Sequence, residues 1–158
     1  MNELDSIFIQ ASEVFDKGDY EQAFQMYSLL ANKKYASAYN DLAVMYECGM
    51  GVVKDINTAL FWYKKSWSTD NYTDSSKNIA DLYLRLGNFR QAVFWWKKSM
   101  LRGDGEAALS YAEALINKGS KNKKLIQDLL KFSIQDSNLT ADSMENAHKL
   151  ILQGWSSG

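Results

Sequence analysis

The sequence predicts an all-α protein, an α-solenoid of about four helix-turn-helix repeats closed by a C-terminal capping helix. Glycines recur at intervals of 31 to 38 residues, each after a segment with helical apolar periodicity: Gly18, Gly49, Gly87, Gly119 and Gly154. A period in this range is typical of helical repeat arrays. Proline, the strongest helix breaker, is absent from all 158 residues. Together, the period and the missing proline favour helical hairpins joined by glycine turns.

Small residues recur at fixed places before these glycines. Alanines stand six or seven residues ahead of them, at Ala11, Ala43, Ala80, Ala112 and Ala147. A larger apolar or aromatic residue follows three positions later in each case. A second series, Ala23, Ala59 and Ala92, is followed four residues later by an aromatic residue. Such pairs share one helix face, so we expect the alanines to mark where neighbouring helices approach closely.

The helix boundaries follow from the same pattern. First helices are predicted at 3–17, 36–48, 74–86 and 106–118, second helices at 20–33, 56–69, 89–102 and 122–135, and a ninth helix at 140–153. Asp19, Asp55 and Asn88 stand where a helix N-cap is needed. The predicted repeats are therefore 3–35, 36–70, 74–103 and 106–136, with a cap at 140–153, in a single domain over residues 1–158.

Two stretches carry a resemblance to a known family. Residues 42–66, LAVMYECGMGVVKDINTALFWYKKS, resemble the Sel1-like repeat, and residues 79–99, IADLYLRLGNFRQAVFWWKKS, are closer to the related tetratricopeptide repeat. The resemblance covers about residues 3–135, although no repeat ends in proline and the fourth has Ile126 and Leu130 at the usual Ala and aromatic positions. It implies a right-handed superhelix in which the first helices line a concave face.

Composition limits the classes of partner. The formal net charge is −1, from 18 basic and 19 acidic residues, so we expect no nucleic-acid partner. Cys48 is the only cysteine, which excludes an internal disulfide and fits a reducing compartment. The first residues lack the pattern of a secretory signal, and no apolar run is long enough to span a membrane. The sequence therefore predicts a cytoplasmic protein without a membrane partner.

Catalytic, metal and cofactor sites are not predicted. His148 is the only histidine, and Cys48 is about 100 residues away in another repeat, so neither has a predicted catalytic partner. One histidine and one cysteine cannot form a common zinc site. Gly49-Met50-Gly51 lacks the strand, third glycine or Gly-Lys-Ser/Thr sequence of a nucleotide-binding loop. We therefore expect a protein that is not an enzyme and binds no cofactor.

The predicted concave face is acidic. Counted from each signature alanine of the first helices, positions −6, −3, +1, +4 and +5 should point into the groove; in the first repeat these are Asp5, Phe8, Ser12, Phe15 and Asp16. The four repeats place seven carboxylates and two cations at such positions, which favours a partner protein with a basic surface. The residues predicted to bind it are Asn40, Glu47, Asp74, Lys77, Asp81, Arg85, Glu106, Glu113 and Asn117.

The opposite face offers an alternative. The aromatic triplets at 61–63 and 94–96 should each bury two members, which leaves Phe61 and Phe94 as exposed apolar candidates. The lysine pairs 33–34, 64–65 and 97–98 are expected near the ends of second helices, where cations complement the helix dipole.

The functional hypothesis is a non-catalytic module for protein–protein interaction. By the family resemblance, small free-standing members are largely bacterial, and some act as immunity proteins that inhibit a cognate toxin. This role is the first hypothesis. An adaptor or secretion chaperone, or an enzyme subunit without its own active site, are the alternatives.

Overall fold

The computed structural model of the protein describes residues 2–70 and 73–155. This part of the chain contains nine α-helices and no strand: α1 Glu3–Asp16, α2 Tyr20–Asn32, α3 Ala38–Cys48, α4 Ile56–Asp70, α5 Thr73–Arg85, α6 Phe89–Met100, α7 Gly105–Asn117, α8 Lys123–Ser133 and α9 Ala141–Leu150. The first eight helices begin and end within two residues of the predicted positions. α9 is followed by a π-helical turn, Ile151–Trp155. The all-α prediction is confirmed.

Side-chain caps explain why helices begin where they do. Asp19 and Asn88 each accept a hydrogen bond from the backbone N–H three residues later, at 3.2 Å. Asp55 does the same for Thr58 at 3.2 Å, and Asn122 does so for Leu125 at 3.1 Å. Each cap satisfies a backbone donor that the first helical turn leaves without a partner. These short polar residues therefore start the second helix of every predicted repeat.

The alanines mark the helix contacts. All five of the first series and all three of the second have no exposed surface. In the fourth repeat Ile126 and Leu130 are equally buried and take the places of the usual alanine and aromatic residue. A side chain without atoms beyond Cβ allows two helix backbones to approach closely, so the buried alanines mark positions where helices pack, and the fourth repeat packs a larger residue at this place.

The chain divides into two compact units, residues 1–75 and 76–158, with the boundary inside α5. The core of the first unit is built from α1, α2 and α3, around the fully buried Leu30, Leu42 and Met45. In the second unit Trp96 and Tyr111 stack with ring centroids 5.5 Å apart. The prediction that residues 1–158 form one domain stays a prediction.

Two glycines permit close backbone contacts. A Cβ atom at Gly51, which has φ +67°, would lie 2.0 Å from the carbonyl oxygen of Tyr20 at the start of α2. At Gly105 a Cβ would lie 2.7 Å from the carbonyl oxygen of Ser133 and 2.6 Å from Cβ of Asp136. No side chain fits at such distances, so Gly51 fixes the loop between α3 and α4 on α2, and Gly105 fixes the start of α7 on the end of α8.

Candidate functional site

A cavity of about 520 Å³ lies in the first unit, between the two first helices of that unit. α1 contributes Phe8, Ser12, Phe15 and Asp16, α2 contributes Tyr27, and α4 contributes Ser66. The segment that opens α3 completes the lining with Ala36, Ser37, Asn40 and Asp41. A volume of this size falls in the range of ligand pockets. Asp16 and Ser37 are exposed, so the cavity is open to solvent. We call it the Asp41 cavity.

Asp41 is the unusual residue of this site. Its side chain is half-buried and also borders a smaller cavity of about 120 Å³ with Phe15, Tyr27 and Val44. Among the described residues, none forms a hydrogen bond or ion pair with its carboxylate. Burial raises the pKa of Asp41 to about 6, because a carboxylate removed from water is disfavoured in its charged form. A half-buried carboxylate with a raised pKa that lines a cavity is a candidate functional group.

The cavity wall combines aromatic rings with hydroxyl groups. The Phe8 and Tyr27 rings meet edge to face with centroids 5.8 Å apart. The hydroxyl oxygens of Tyr27 and Ser12 lie 3.1 Å apart, and burial raises the pKa of Tyr27. On the other side, the Ser75 hydroxyl lies 2.8 Å from that of Ser66 and 3.3 Å from Oδ1 of Asn40. The wall is therefore preorganised by its own contacts and offers several oxygen acceptors.

Three predicted partner-binding residues belong to the first unit, Asn40, Glu47 and Asp74, and the two that α3 carries lie in different settings. Asn40 lines the Asp41 cavity. Glu47 accepts a hydrogen bond of 2.7 Å from the hydroxyl of Tyr63, so this carboxylate helps to hold α4 against α3. Glu47 is only half-buried, and part of its surface still faces solvent.

Glu106 and Glu113, predicted to bind a partner, are hydrogen-bonded to α9, and their assignment to a partner stays a prediction. Glu106 accepts hydrogen bonds from the Thr140 hydroxyl at 3.2 Å and from the Ser143 hydroxyl at 2.9 Å. Glu113 accepts one from the side-chain amide of Asn146 at 2.5 Å. The ninth helix therefore lies along α7 and occupies the acceptors that the sequence assigned to a partner. Both residues remain half-buried.

The other predicted residues of the second unit lie on α5 and α7. Lys77 and Asp81 are half-buried, whereas Arg85 and Asn117 are exposed near the ends of their helices. The side chain of Asp74 lies outside the described part of the structure. The assignment of this set to a partner stays a prediction.

Asp41 was missed by the sequence reasoning. The register from Ala43 assigned positions −6 and −3, Ser37 and Asn40, to the groove but not position −2, where Asp41 lies. The available signal was an acidic residue directly before the buried pair Leu42-Ala43. A charged residue beside two core residues can either border the core, as Asp41 does, or face solvent, as Lys97 does after Trp95 and Trp96, so this signal alone did not identify Asp41.

The triplet 94–96 buries two members as predicted, whereas the triplet 61–63 buries only Tyr63 and leaves Trp62 half-buried. The lysine pairs also differ in part from the prediction. Phe61 and Phe94 are 57% and 50% exposed, while Tyr63 and Trp96 are buried. Lys98 lies in the last turn of α6, as expected. Lys65 does not lie in the last turn, because α4 continues to Asp70. Its ammonium instead lies 4.7 Å from the ring centroids of Tyr39 and Trp62, a cation–π contact.

The described residues hold no group of three or more His, Cys, Asp or Glu side chains placed to bind a metal ion. In the same part of the chain, every helix is too short or too polar to cross a bilayer.

Comparisons with known proteins agree with this architecture. The Sel1 repeat model matches residues 16–35, 36–66 and 82–104. A Sel1 repeat protein from Oxalobacter formigenes is similar in structure, with a TM-score of 0.74 and 22% identity over 97% of this chain and 65% of that chain. A protective antigen of uropathogenic Escherichia coli with an SLR fold has a TM-score of 0.73 and 17% identity, over 97% of this chain and 34% of that chain.

This chain thus spans less than two thirds of either protein, and no curated protein matches its sequence. The structural similarity confirms the α-solenoid fold class. The three matched repeats, together with the similar fold of Sel1 repeat proteins, show that this chain carries Sel1 repeats.

Proposed function

We propose that this chain is a non-catalytic module that binds a partner protein through a basic surface of that partner. Proteins with Sel1 repeats are generally protein-interaction modules. The observation that carries the proposal is the Asp41 cavity, whose lining contains two carboxylates and, among the described residues, no basic side chain. Complementary charge of this kind speeds association and selects among partners.

The proposed role is that of an immunity or inhibitor protein for a bacterial toxin. A toxin that acts on a polyanion has a basic active cleft, and an acidic binding surface is suited to cover such a cleft. An adaptor or secretion chaperone would use the same surface with a different partner. We place the protein in the cytoplasm, because its one cysteine, Cys48, is an exposed thiol, which suits a reducing compartment.

A catalytic role finds no support at the residues that would supply it. Nδ1 of His148 lies 2.8 Å from the backbone carbonyl oxygen of Met144 on its own helix. Tyr27 and Ser12 pair their hydroxyls without a histidine or lysine among the described cavity residues to act as a base.

The role is tested with the products of neighbouring genes. Each is expressed in a bacterial host with and without this chain, and growth is followed. We expect one product to arrest growth alone and to be tolerated when this chain is present, with a stoichiometric complex on size-exclusion chromatography. A stable complex whose partner is harmless would contradict the inhibitor role and favour the adaptor or chaperone.

Charge reversal tests the basic partner surface. Asp16→Lys should lower the association rate with the purified partner and flatten its salt dependence, because steering acts over a Debye length of about 8 to 10 Å. Glu113 is unsuitable, since it holds Asn146. The matched controls are Lys64→Glu and Lys97→Glu, at exposed positions on second helices. If only the controls impair binding, the exposed surfaces of the second helices, around Phe61 in one unit and around Phe94 in the other, become the candidates for the binding surface.

A further inference from the structure

We infer that the Asp41 cavity receives one arginine side chain of the partner protein, with the Asp41 carboxylate as its counter-ion. This inference rests on the protein-binding function proposed above and adds the residue type that enters the site.

The charge of the cavity favours a cation. Asp41 and Asp16 lie in its lining, and no described residue there is basic. The Asp41 carboxylate has lost much of its water and has gained no hydrogen bond from the described residues in return. A buried carboxylate without a partner is costly, and a charged donor from outside would remove most of that cost. In the free protein the half-buried carboxylate therefore relies on the water of the open cavity, and a charged donor from a partner could take the place of that water.

The aromatic wall suits a cation with an apolar stem. Phe8, Phe15 and Tyr27 line the cavity, and their ring faces attract a positive group within about 6 Å. The chain already uses this contact elsewhere, because Lys65 lies 4.7 Å from the ring centroids of Tyr39 and Trp62. The methylene stem of a long basic side chain would cover the rings while its head reaches Asp41.

The number of acceptors and the volume favour arginine over lysine. The guanidinium group has five N–H donors in a plane, whereas an ammonium has three at one point. The cavity offers oxygens on Asp41, Asn40 and Tyr27, together with the serine hydroxyls of its wall. Arginine is also more weakly hydrated and stacks on aromatic rings, so it suits a partly buried ion pair better than lysine. A cavity of about 520 Å³ has room for this planar head.

The test uses a defined probe and the full chain. N-acetyl-L-arginine methylamide is titrated into ¹⁵N-labelled protein, beside the citrulline analogue, which has nearly the same shape without the charge, and the lysine analogue. We expect saturable shifts of backbone amides in α1 and α3, with a dissociation constant on the order of millimolar. The citrulline analogue should cause no saturable shift, and the lysine analogue should bind at least about threefold more weakly.

Two variants show whether binding of the probe depends on the charge of Asp41 or on the open space of the cavity. Asp41→Asn should weaken binding of the arginine probe about tenfold or more, because it removes the charge and leaves the shape. Ser37→Phe should block the exposed mouth of the cavity and leave Asp41 in place; Ser37 provides no side-chain cap to α3, so the helix start is kept. Asp128→Asn, at an exposed position on α8, is the matched control and should bind the probe as the unmodified chain does.

The results that would overturn this inference can be distinguished from those that would overturn the proposed function. Absence of saturable shifts up to about 50 mM probe, equal binding of the citrulline analogue, or unchanged binding by Asp41→Asn would each overturn the inference. If a purified partner binds Asp41→Asn as tightly as the unmodified chain, this inference fails while the proposed function stands. If no neighbouring gene product binds the chain at all, the proposed function fails, and the probe titration still decides whether the cavity takes a guanidinium group.

Discussion

The position that follows the signature alanine of a first helix has different surroundings in the two units. In α1 the position after the signature alanine is Ser12, and beside it lies a cavity in which Asp41 has no partner among the described residues. In α7 the same position is Glu113, which is hydrogen-bonded to Asn146 of α9. The position six residues before the alanine is similar in both: Asp5 accepts from the Tyr35 hydroxyl at 2.9 Å, as Glu106 accepts from Thr140 and Ser143.

This difference teaches that an acidic residue on a first helix is not by itself a binding residue. Where the next first helix offers a donor, the carboxylate becomes part of the packing, as Glu106 and Glu113 do. Where the neighbouring position is small, as at Ser12, a space remains and the acid that borders it stays available. A satisfied carboxylate strengthens the fold, and an unsatisfied one weakens it.

The largest expected losses of stability come from replacing a closely packed glycine by alanine, at Gly51 in the first unit or at Gly105 in the second. Gly51→Ala should lower the free energy of unfolding by about 2–5 kcal/mol, because it combines a left-handed backbone with a Cβ 2.0 Å from the Tyr20 carbonyl oxygen. Gly105→Ala carries only the steric part and should cost about 1–3 kcal/mol. Urea denaturation followed by circular dichroism measures both.

Gly18→Ala is the control for the backbone contribution. Its φ is +84°, and a Cβ there meets nothing within 4 Å, so the cost should be about 1–2 kcal/mol. If Gly51→Ala proves no worse than Gly18→Ala, the close contact with α2 is not a constraint on the first unit.

Next in size is a gain in stability from removing the charge of Asp41. With a folded pKa near 6 against an ordinary value of 3.8, the folded state holds the proton more tightly. Stability therefore falls as pH rises from about 4 to about 6, and the loss is complete above that range. Asp41→Asn should raise the free energy of unfolding by about 2–3 kcal/mol at pH 7 and hardly change it at pH 3.5.

Thermal melts across this pH range measure the effect. Asp16 and Tyr27 are the other titratable groups of the cavity, and Asp128→Asn is the exposed control. An equal gain for Asp41→Asn at both pH values would show that charge burial is not its cause.

A smaller effect on stability is expected from removing the hydrogen bond between Asn146 of α9 and Glu113 of α7. Asn146→Ala should cost about 1–2 kcal/mol, because it leaves the half-buried Glu113 without this donor. A double-mutant cycle with Glu113→Ala should give a coupling energy of about 0.5–2 kcal/mol. Glu145→Ala, at an exposed position on the same helix, should have little effect. If the effects of Asn146→Ala and Glu113→Ala on the free energy of unfolding are additive, α9 is held by its apolar contacts alone.

The smallest expected effect is at Ser12. Ser12→Ala should cost about 0.5–1 kcal/mol, since Tyr27 loses a hydroxyl partner but can reach water in the open cavity. Ser12→Thr keeps the hydroxyl and should restore part of the loss. If Ser12→Ala lowers the free energy of unfolding more than Asn146→Ala does, the contrast fails between the open Asp41 cavity of the first unit and the contact of α7 with α9 in the second.

The sequence by itself determined the helices, their caps and the alanine contacts. Period, capping residues and apolar spacing are local properties, and they located Asp19, Asn88 and Ala80 correctly because a helix start or a buried face is decided within one or two turns. The same register also assigned Phe8, Ser12, Phe15 and Asp16 to the groove, and these residues line the Asp41 cavity.

Only the tertiary structure decided which carboxylates are satisfied. Glu113 and Asn146 are 33 residues apart, and Gly105 donates its N–H to Asp136, 31 residues away. No periodicity within a helix reports such pairs, because they depend on how closely two helices lie and on which side chain faces the gap. For the same reason the sequence could place Asp41 on α3 but could not show that its neighbours would leave it without a donor.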